Sequence, residues 1–344
     1  MREHHEVRSF DGKERCDRED RPVPYGWRFA WSTSVDHARS SSLATRYRTE
    51  PDDRVSSATP PWSDMRRTYH SMCQSEFVLE CVVNISEGSD RRLLNVFDEA
   101  CGDALLDRHS DRDHNRSVYT LFGTEAVRSL VRLAVERLDL NRHDGAHPRL
   151  GVVDVVPFVP LESSSMEDAI AARDDFARWL ADDLAVPSFL YGPGRTLPDI
   201  RRHAWTSYRP DFGSHHPHPT AGAVCVGARE QLVAYNCWLE RGTDIRVARD
   251  IASRVRQPGI RSLGLQVGDR VQVSMNLVAP FSIGPHDAVR AVEDVCREVG
   301  TRIGHNELVG LVSERVLREI PRHEWTWLDL SEDRTIENRM AKRR

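Results

Sequence analysis

Apolar and polar positions follow no sustained period from Met1 to about Ser75, and become regular from Glu76 onward. Phe77-Val78-Leu79 to Ile85 predicts a strand, closed by a polar turn at Gly88. Leu93, Leu94, Val96, Phe97 and Ala100 mark a helix that Gly102 ends. Ala104 to Asp107 and Ser117 to Phe122 predict two further strands. Between Thr124 and Leu138, the apolar residues Val127, Leu130, Val131, Ala134 and Leu138 fall on one helical stripe. Leu150 to Pro160 is a nearly continuous β-branched run, as expected of a strand buried on both faces. A helix from Met166 to Leu184 opens on a capping-box pattern, Ser165 with Asp168, and Pro187 to Tyr191 follows as a short strand.

Gly192 to about Gly222 reads as loop, and its length points to function rather than a plain connector. The outline then repeats. Ala223 to Leu239 is strand-like, and Asp244 to Arg256 is helical. Ile260 to Val267 and Arg270 to Leu277 form a hairpin around Gly268-Asp269. Pro285 opens a helix to Val299 at its first position, where a missing N–H costs nothing. A strand near Leu308 to Val312 and a short helix from Glu314 close the half, and the charged tail after Arg322 should fray. Each half runs β-α-β-β-α-β, which predicts an α+β fold: two ferredoxin-like sandwich subdomains with a ligand cleft between them. The expected divisions are a disordered extension over 1–75, subdomains over 76–222 and 223–325, and a tail over 326–344.

Composition narrows the function. The extension is rich in Arg, Asp, Ser and Pro, too polar to bury a core, and carries neither a secretory h-region nor the acid-poor character of a transit peptide. Met72 stands just before the first convincing strand, so a start placed too far upstream is the plainer reading of residues 1–71. A net charge of -5 argues against a general nucleic-acid binder. No apolar run approaches the ~18 residues of a membrane span. The seven cysteines are scattered with no C-x-x-C pair, which fits reduced thiols in a cytoplasmic protein. P-loop and G-x-G-x-x-G fingerprints are missing.

One stretch concentrates candidate chemistry: NRHDGAHPRLGVVDVVPFVPL, Asn141 to Leu161. Asp144-Gly145 supplies a turn, and Pro148 stiffens the backbone beyond His147. A histidine there, at the mouth of a buried strand, suits proton transfer near neutral pH or simply bonds a neighbour; the residues alone leave both readings open.

ECVVNISEG (Glu80 to Gly88), DRDHNRSVYTLFG (Asp111 to Gly123) and HDGAHPRLGVVDVVPFVPL (His143 to Leu161) resemble, in that order, the formiminotransferase family. RTLPDIR, PDFG, GAR, VSMNL and ELVGLV continue the likeness to about Arg322. The resemblance implies transfer of a formimino group between glutamate and tetrahydrofolate, the folate being a co-substrate lying between two α/β subdomains. It implies His147 as the acid–base. It places the folate-binding segment at Gly213, Ser214, His215, His216, Pro217, His218, Pro219, Thr220, Ala221 and Gly222. Asn115 and Arg116 keep the family pattern as binders of carboxylate or pterin groups, and Asn236 matches a family asparagine. His109 stands where relatives often carry an acid, and Trp238 replaces a second asparagine on the same strand face as Asn236. The implied partners are folate and glutamate-type molecules, with no metal, nucleic acid or membrane; a homodimer is left open.

Arg149 and Arg229 are candidate carboxylate anchors, since guanidinium binds carboxylate bidentately, whereas Arg201 and Arg202 read as solvated surface charges. His143 reads as a solvated turn residue. Asp154, inside an apolar strand, should be buried with a partner. Two rival readings remain. One is a divergent folate-binding transferase with another acceptor; the other is a metal-dependent hydrolase built on His109, Asp111, Asp113, His114 and the loop histidines.

Overall fold

The computed structural model describes residues 78–145, 149–161 and 164–343; the expected extension over 1–75 and His147 lie outside the described residues. The first β-α-β-β-α-β segment consists of β1 (Leu79–Ile85), α1 (Arg91–Cys101), β2 (Leu105–Asp111), β3 (Arg116–Phe122), α2 (Thr124–Arg137) and β4 (Val153–Pro160). After it come α3 (Met166–Leu184), β5 (Ser188–Tyr191), α4 (Leu197–His203) and β6 (Val224–Ala228). These strands form one six-stranded sheet in the order β2-β3-β1-β4-β6-β5. Pairings on the β1 side are antiparallel, whereas β4, β6 and β5 run parallel.

The second segment is β7 (Val233–Leu239), α5 (Ile245–Arg254), β8 (Ile260–Val267), β9 (Arg270–Leu277), α6 (Pro285–Val299) and β10 (Ile303–Val309), in the order β10-β7-β9-β8. In both segments the fourth strand lies beside the first, and the third separates first from second. Two short helices, α7 (Glu314–Arg318) and α8 (Ile336–Ala341), follow.

Period-2 alternation decides which face each sheet buries. In β1, Cys81, Val83 and Ile85 join Phe97, Val127, Leu130, Phe158 and Phe176 under the helices. Glu80 and Asn84 therefore face the other way. In β7, Tyr235, Cys237 and Leu239 pack with Ile251, Val273 and Val292, which leaves Asn236 and Trp238 on the opposite face. The five cysteines in the described residues, Cys81, Cys101, Cys225, Cys237 and Cys296, are all buried thiols.

The hairpin, the proline-initiated helix and the Ser165–Asp168 capping box form as the sequence predicts. The last strand, expected near Leu308 to Val312, spans Ile303–Val309, and four other expectations change. The strand expected to stop at Asp107 runs to Asp111 past an irregularity between Leu105 and Asp107. The loop after Gly192 contains α4, capped by Thr196 and Asp199 in a reciprocal box. The run from Ala223 to Leu239 divides, and its first part, β6, joins the first sheet. The tail does not fray: Ile336 and Met340 pack on Leu106, Leu161 and Leu311.

Candidate active site

The loop leading to β4 is tied down on both sides of residues 146–148. Asn115 adopts a left-handed φ of 46°, which its short polar side chain tolerates. Its Oδ1 accepts from the Gly88 N–H at 3.0 Å, and its Nδ2 donates to the Asp144 carbonyl at 2.8 Å. Arg149 donates through Nη2 to the Gly145 carbonyl at 3.1 Å. His143 differs from its expected solvated state: Nδ1 lies 3.4 Å from Asn115 Nδ2, and Nε2 is buried with no hydrogen-bond partner among the described residues.

The segment from Gly213 to Gly222 reaches the same place at its C-terminal end only. Gly213 to Pro217 are exposed. His218 Nδ1 accepts from the Ala221 N–H at 3.0 Å, so this imidazole shapes its own turn. Thr220 and Pro219 carbonyls accept from Leu140 N–H at 2.7 Å and Asn141 Nδ2 at 2.8 Å, while the Ala221 carbonyl accepts from Val152 N–H at 3.0 Å. Gly222, at φ +73°, lies so close to the Leu150 carbonyl that any Cβ would collide with it. Glycine is required there.

Just inside the loop sits Asp154, 2% exposed. Its Oδ1 accepts from the Leu150 N–H at 2.9 Å, and its Oδ2 pairs with Arg201 Nη2 at 2.5 Å. The expectation for Arg201 is thereby corrected: α4 turns it inward to this carboxylate. Arg202 stays outside, 3.8 Å from Asp199. Arg116 grips Asn84 Oδ1 through Nε at 3.1 Å and Nη2 at 2.6 Å. Ile85, Ser86, Arg116, Arg149 and Asp154 line a crevice with no room for a water molecule. Burial pushes the Arg116 guanidinium down to about 10; Asp154 opposes this, and the charges of Arg201 and Arg149 add to it.

A second cluster joins the open faces of the two sheets. His109 Nε2 on β2 lies 3.2 Å from Glu307 Oε1 on β10. Glu307 Oε2 accepts from Asn236 Nδ2 at 3.0 Å and Trp238 Nε1 at 2.7 Å. His305 stacks on the Trp238 ring at 5.6 Å between centroids, and the Arg270 guanidinium lies 4.8 Å from that ring. Burial by itself would raise the Glu307 carboxyl, but donors from His109, Asn236 and Trp238 outweigh it and hold it at about 2. Glu307 escaped the sequence reading; its signal was a carboxylate beside the apolar pair Leu308-Val309 in the strand IGHNELV.

Arg229 sits apart from the arginines at the loop. Its N–H bonds the Phe158 carbonyl and its Nη1 the Glu230 carbonyl at 2.9 Å, beside buried Glu80. Glu80 and Asn84 are four residues apart on β1, roughly 13 Å along an extended strand. Among the described residues no three His, Cys, Asp or Glu converge as metal ligands. Asp111 pairs with His114 at 3.1 Å while His109 turns to Glu307. No described helix is long and apolar enough to cross a membrane.

The chain matches the formiminotransferase domain, N-terminal subdomain, over residues 78–229. Glutamate formimidoyltransferase of Streptococcus pyogenes serotype M1 is 31% identical over 277 residues, covering 72% of this chain and 92% of that protein. The protein of the same name from Thermoplasma acidophilum is 30% identical over 305 residues, 77% of this chain and 98% of its own length. Formimidoyltransferase-cyclodeaminase of Gallus gallus is 34% identical over 278 residues, and the chain spans 51% of it. With likeness running nearly end to end along two formimidoyltransferases, this chain belongs to the formiminotransferase family.

Proposed function

We propose that this chain transfers a formimino group between N-formimino-L-glutamate and tetrahydrofolate, in the cytoplasm, as part of histidine breakdown and one-carbon supply. The observation that carries the reading is near full-length similarity to two glutamate formimidoyltransferases. The β-α-β-β-α-β segments are read as ferredoxin-like subdomains, with the ligands held where their open faces meet. His147 acts as base and then acid. It takes the proton lost by the folate amine as that nitrogen attacks the formimino carbon, then returns a proton to the glutamate nitrogen as the tetrahedral adduct breaks. Asn115 and Arg149 fix the chain on either side of residues 146–148, and Gly222 keeps the folate-binding segment against Leu150.

The purified protein should consume N-formimino-L-glutamate only when tetrahydrofolate is present. His147→Ala should lower kcat by about 100- to 10,000-fold while folate binding persists. A variant as fast as its parent would overturn the acid–base assignment. Trp238 favours a second reading, a folate-binding transferase with another acceptor, because its indole is held to Glu307 at 2.7 Å and occupies the wall beside Asn236. Tight folate binding without turnover of formiminoglutamate selects that reading.

A further inference from the structure

Helix α8 docks on an apolar surface of the first sheet that contains one carboxyl. Ile336 and Met340 bury against Leu106 of β2, Leu161 just after β4, and Leu311, with Val78 and Phe122 packed alongside. Glu80 stands within that patch. It follows Val78 by two residues and so shares its face. Phe122 of β3 and Val159 of β4 are its direct cross-strand partners, and neither carries a charge. Glu80 is 6% exposed, and no hydrogen bond among the described residues steadies its charge. The charged groups that face it come from two other elements: Arg229, just after β6, favours the carboxylate, and Glu337 of α8 opposes it.

Glu337 is held in place by its own segment. Its Oε1 accepts from Ser313 Oγ at 3.1 Å and its Oε2 from the Glu314 N–H at 2.7 Å, at the start of α7. The Ile336 N–H bonds the Val312 carbonyl at 3.0 Å, and the Val312 N–H bonds the Arg334 carbonyl at 3.1 Å. The tail is therefore tied to the second segment by polar bonds and to the first sheet by apolar contact. An ionised Glu80 would put a second carboxylate near that of Glu337 inside the apolar contact, which is costly.

We propose that α8 is a pH-sensitive latch: ionisation of Glu80 lifts the Ile336–Met340 face off the first sheet, and protonation lets it close. Closed, the latch joins the two sheets together with the His109–Glu307 contact; open, it leaves that contact to hold them.

Met340 reports the latch, since its thioether lies on the docked face at 7% exposure and reacts with peroxide to a sulfoxide that mass spectrometry counts. Oxidation of Met340 is followed at pH 6 and pH 8.5, each rate divided by that of N-acetylmethionine in the same tube. Met275, in the core of the second segment, serves as the control. The Met340 rate should rise severalfold, up to about tenfold, the ceiling for a carboxyl at about 7 when docked and 4.5 when released. Met275 should change by less than about twofold. In Glu80→Gln the Met340 rate should be the same at both pH values. Should that variant fail to melt cooperatively, Glu80→Leu, which continues the apolar surface, is read the same way. A parent whose Met340 rate ignores pH overturns the latch, as does a folded variant that keeps the parent's rise. A rise shared equally by Met275 also overturns it, because the whole fold would then be opening.

Discussion

Glu80 and Glu307 show what one residue type becomes in two settings. Both sit on the open face of a strand. Glu307 gains three donors and stays ionised, held at about 2. Glu80 is 6% exposed, and burial drives it up from 4.5 to about 7, partly offset by Arg229 and reinforced by Glu337. A carboxyl raised in the folded state stabilises it fully below the unfolded value and loses that contribution as pH rises through the folded one. Glu80→Gln should therefore raise stability by about 3 kcal/mol at pH 8 and change little at pH 4.5, read by urea unfolding. Equal effects at both pH values would refute the burial argument. For Glu307 the sign reverses, and its contribution disappears as acid is added between about 4.5 and 2. Neither behaviour was legible beforehand. The alternation of LECVVNI assigned Glu80 to the face away from the helices, but only the second half of the chain, more than 200 residues later, decides that this face is covered. His109 falls beyond the strand expected to end at Asp107 for the same reason: a strand facing another sheet carries polar residues that a solvent-facing reading sends to a turn.

At the scale of elements, long periodic segments were readable and short ones were not. The stripes of α2 and α3 and the Gly268-Asp269 hairpin announced themselves because each repeats its pattern over many residues. Helix α4 has seven residues, too few for a period, yet its Thr196–Asp199 box was present in the letters and would have located Arg201 on a helix. The break between β6 and β7 was likewise signalled by polar Arg229 and Glu230. Helix α8 is a different failure, since Ile336 and Met340 are isolated apolar residues in a charged run and acquire a surface to bury against only from Leu106, Leu161 and Leu311, all outside that run. Met340→Ala should lower stability by about 2 kcal/mol or more, seen as a lower urea midpoint with an unchanged m-value. No shift would mean that the helix rests on the sheet without contributing to its stability.

Across the whole molecule, the two sheets are joined by more than chain connectivity. His109 meets Glu307 across their open faces, and α8 returns from the second segment to cover Leu106 and Leu161 of the first. The thiols make this coupling measurable. Cys81, Cys101 and Cys225 belong to the first sheet or its helices, Cys237 and Cys296 to the second, and burial pushes all five up, Cys101 and Cys225 to about 12. Only thiolate reacts at a useful rate. Pulses of iodoacetamide read by mass spectrometry should find both groups alkylated with one shared time course. Two distinct time courses would mean that the halves open separately. The interior thus carries its own stopwatch, started only when the fold lets go, with a hand in each half to show whether they release together.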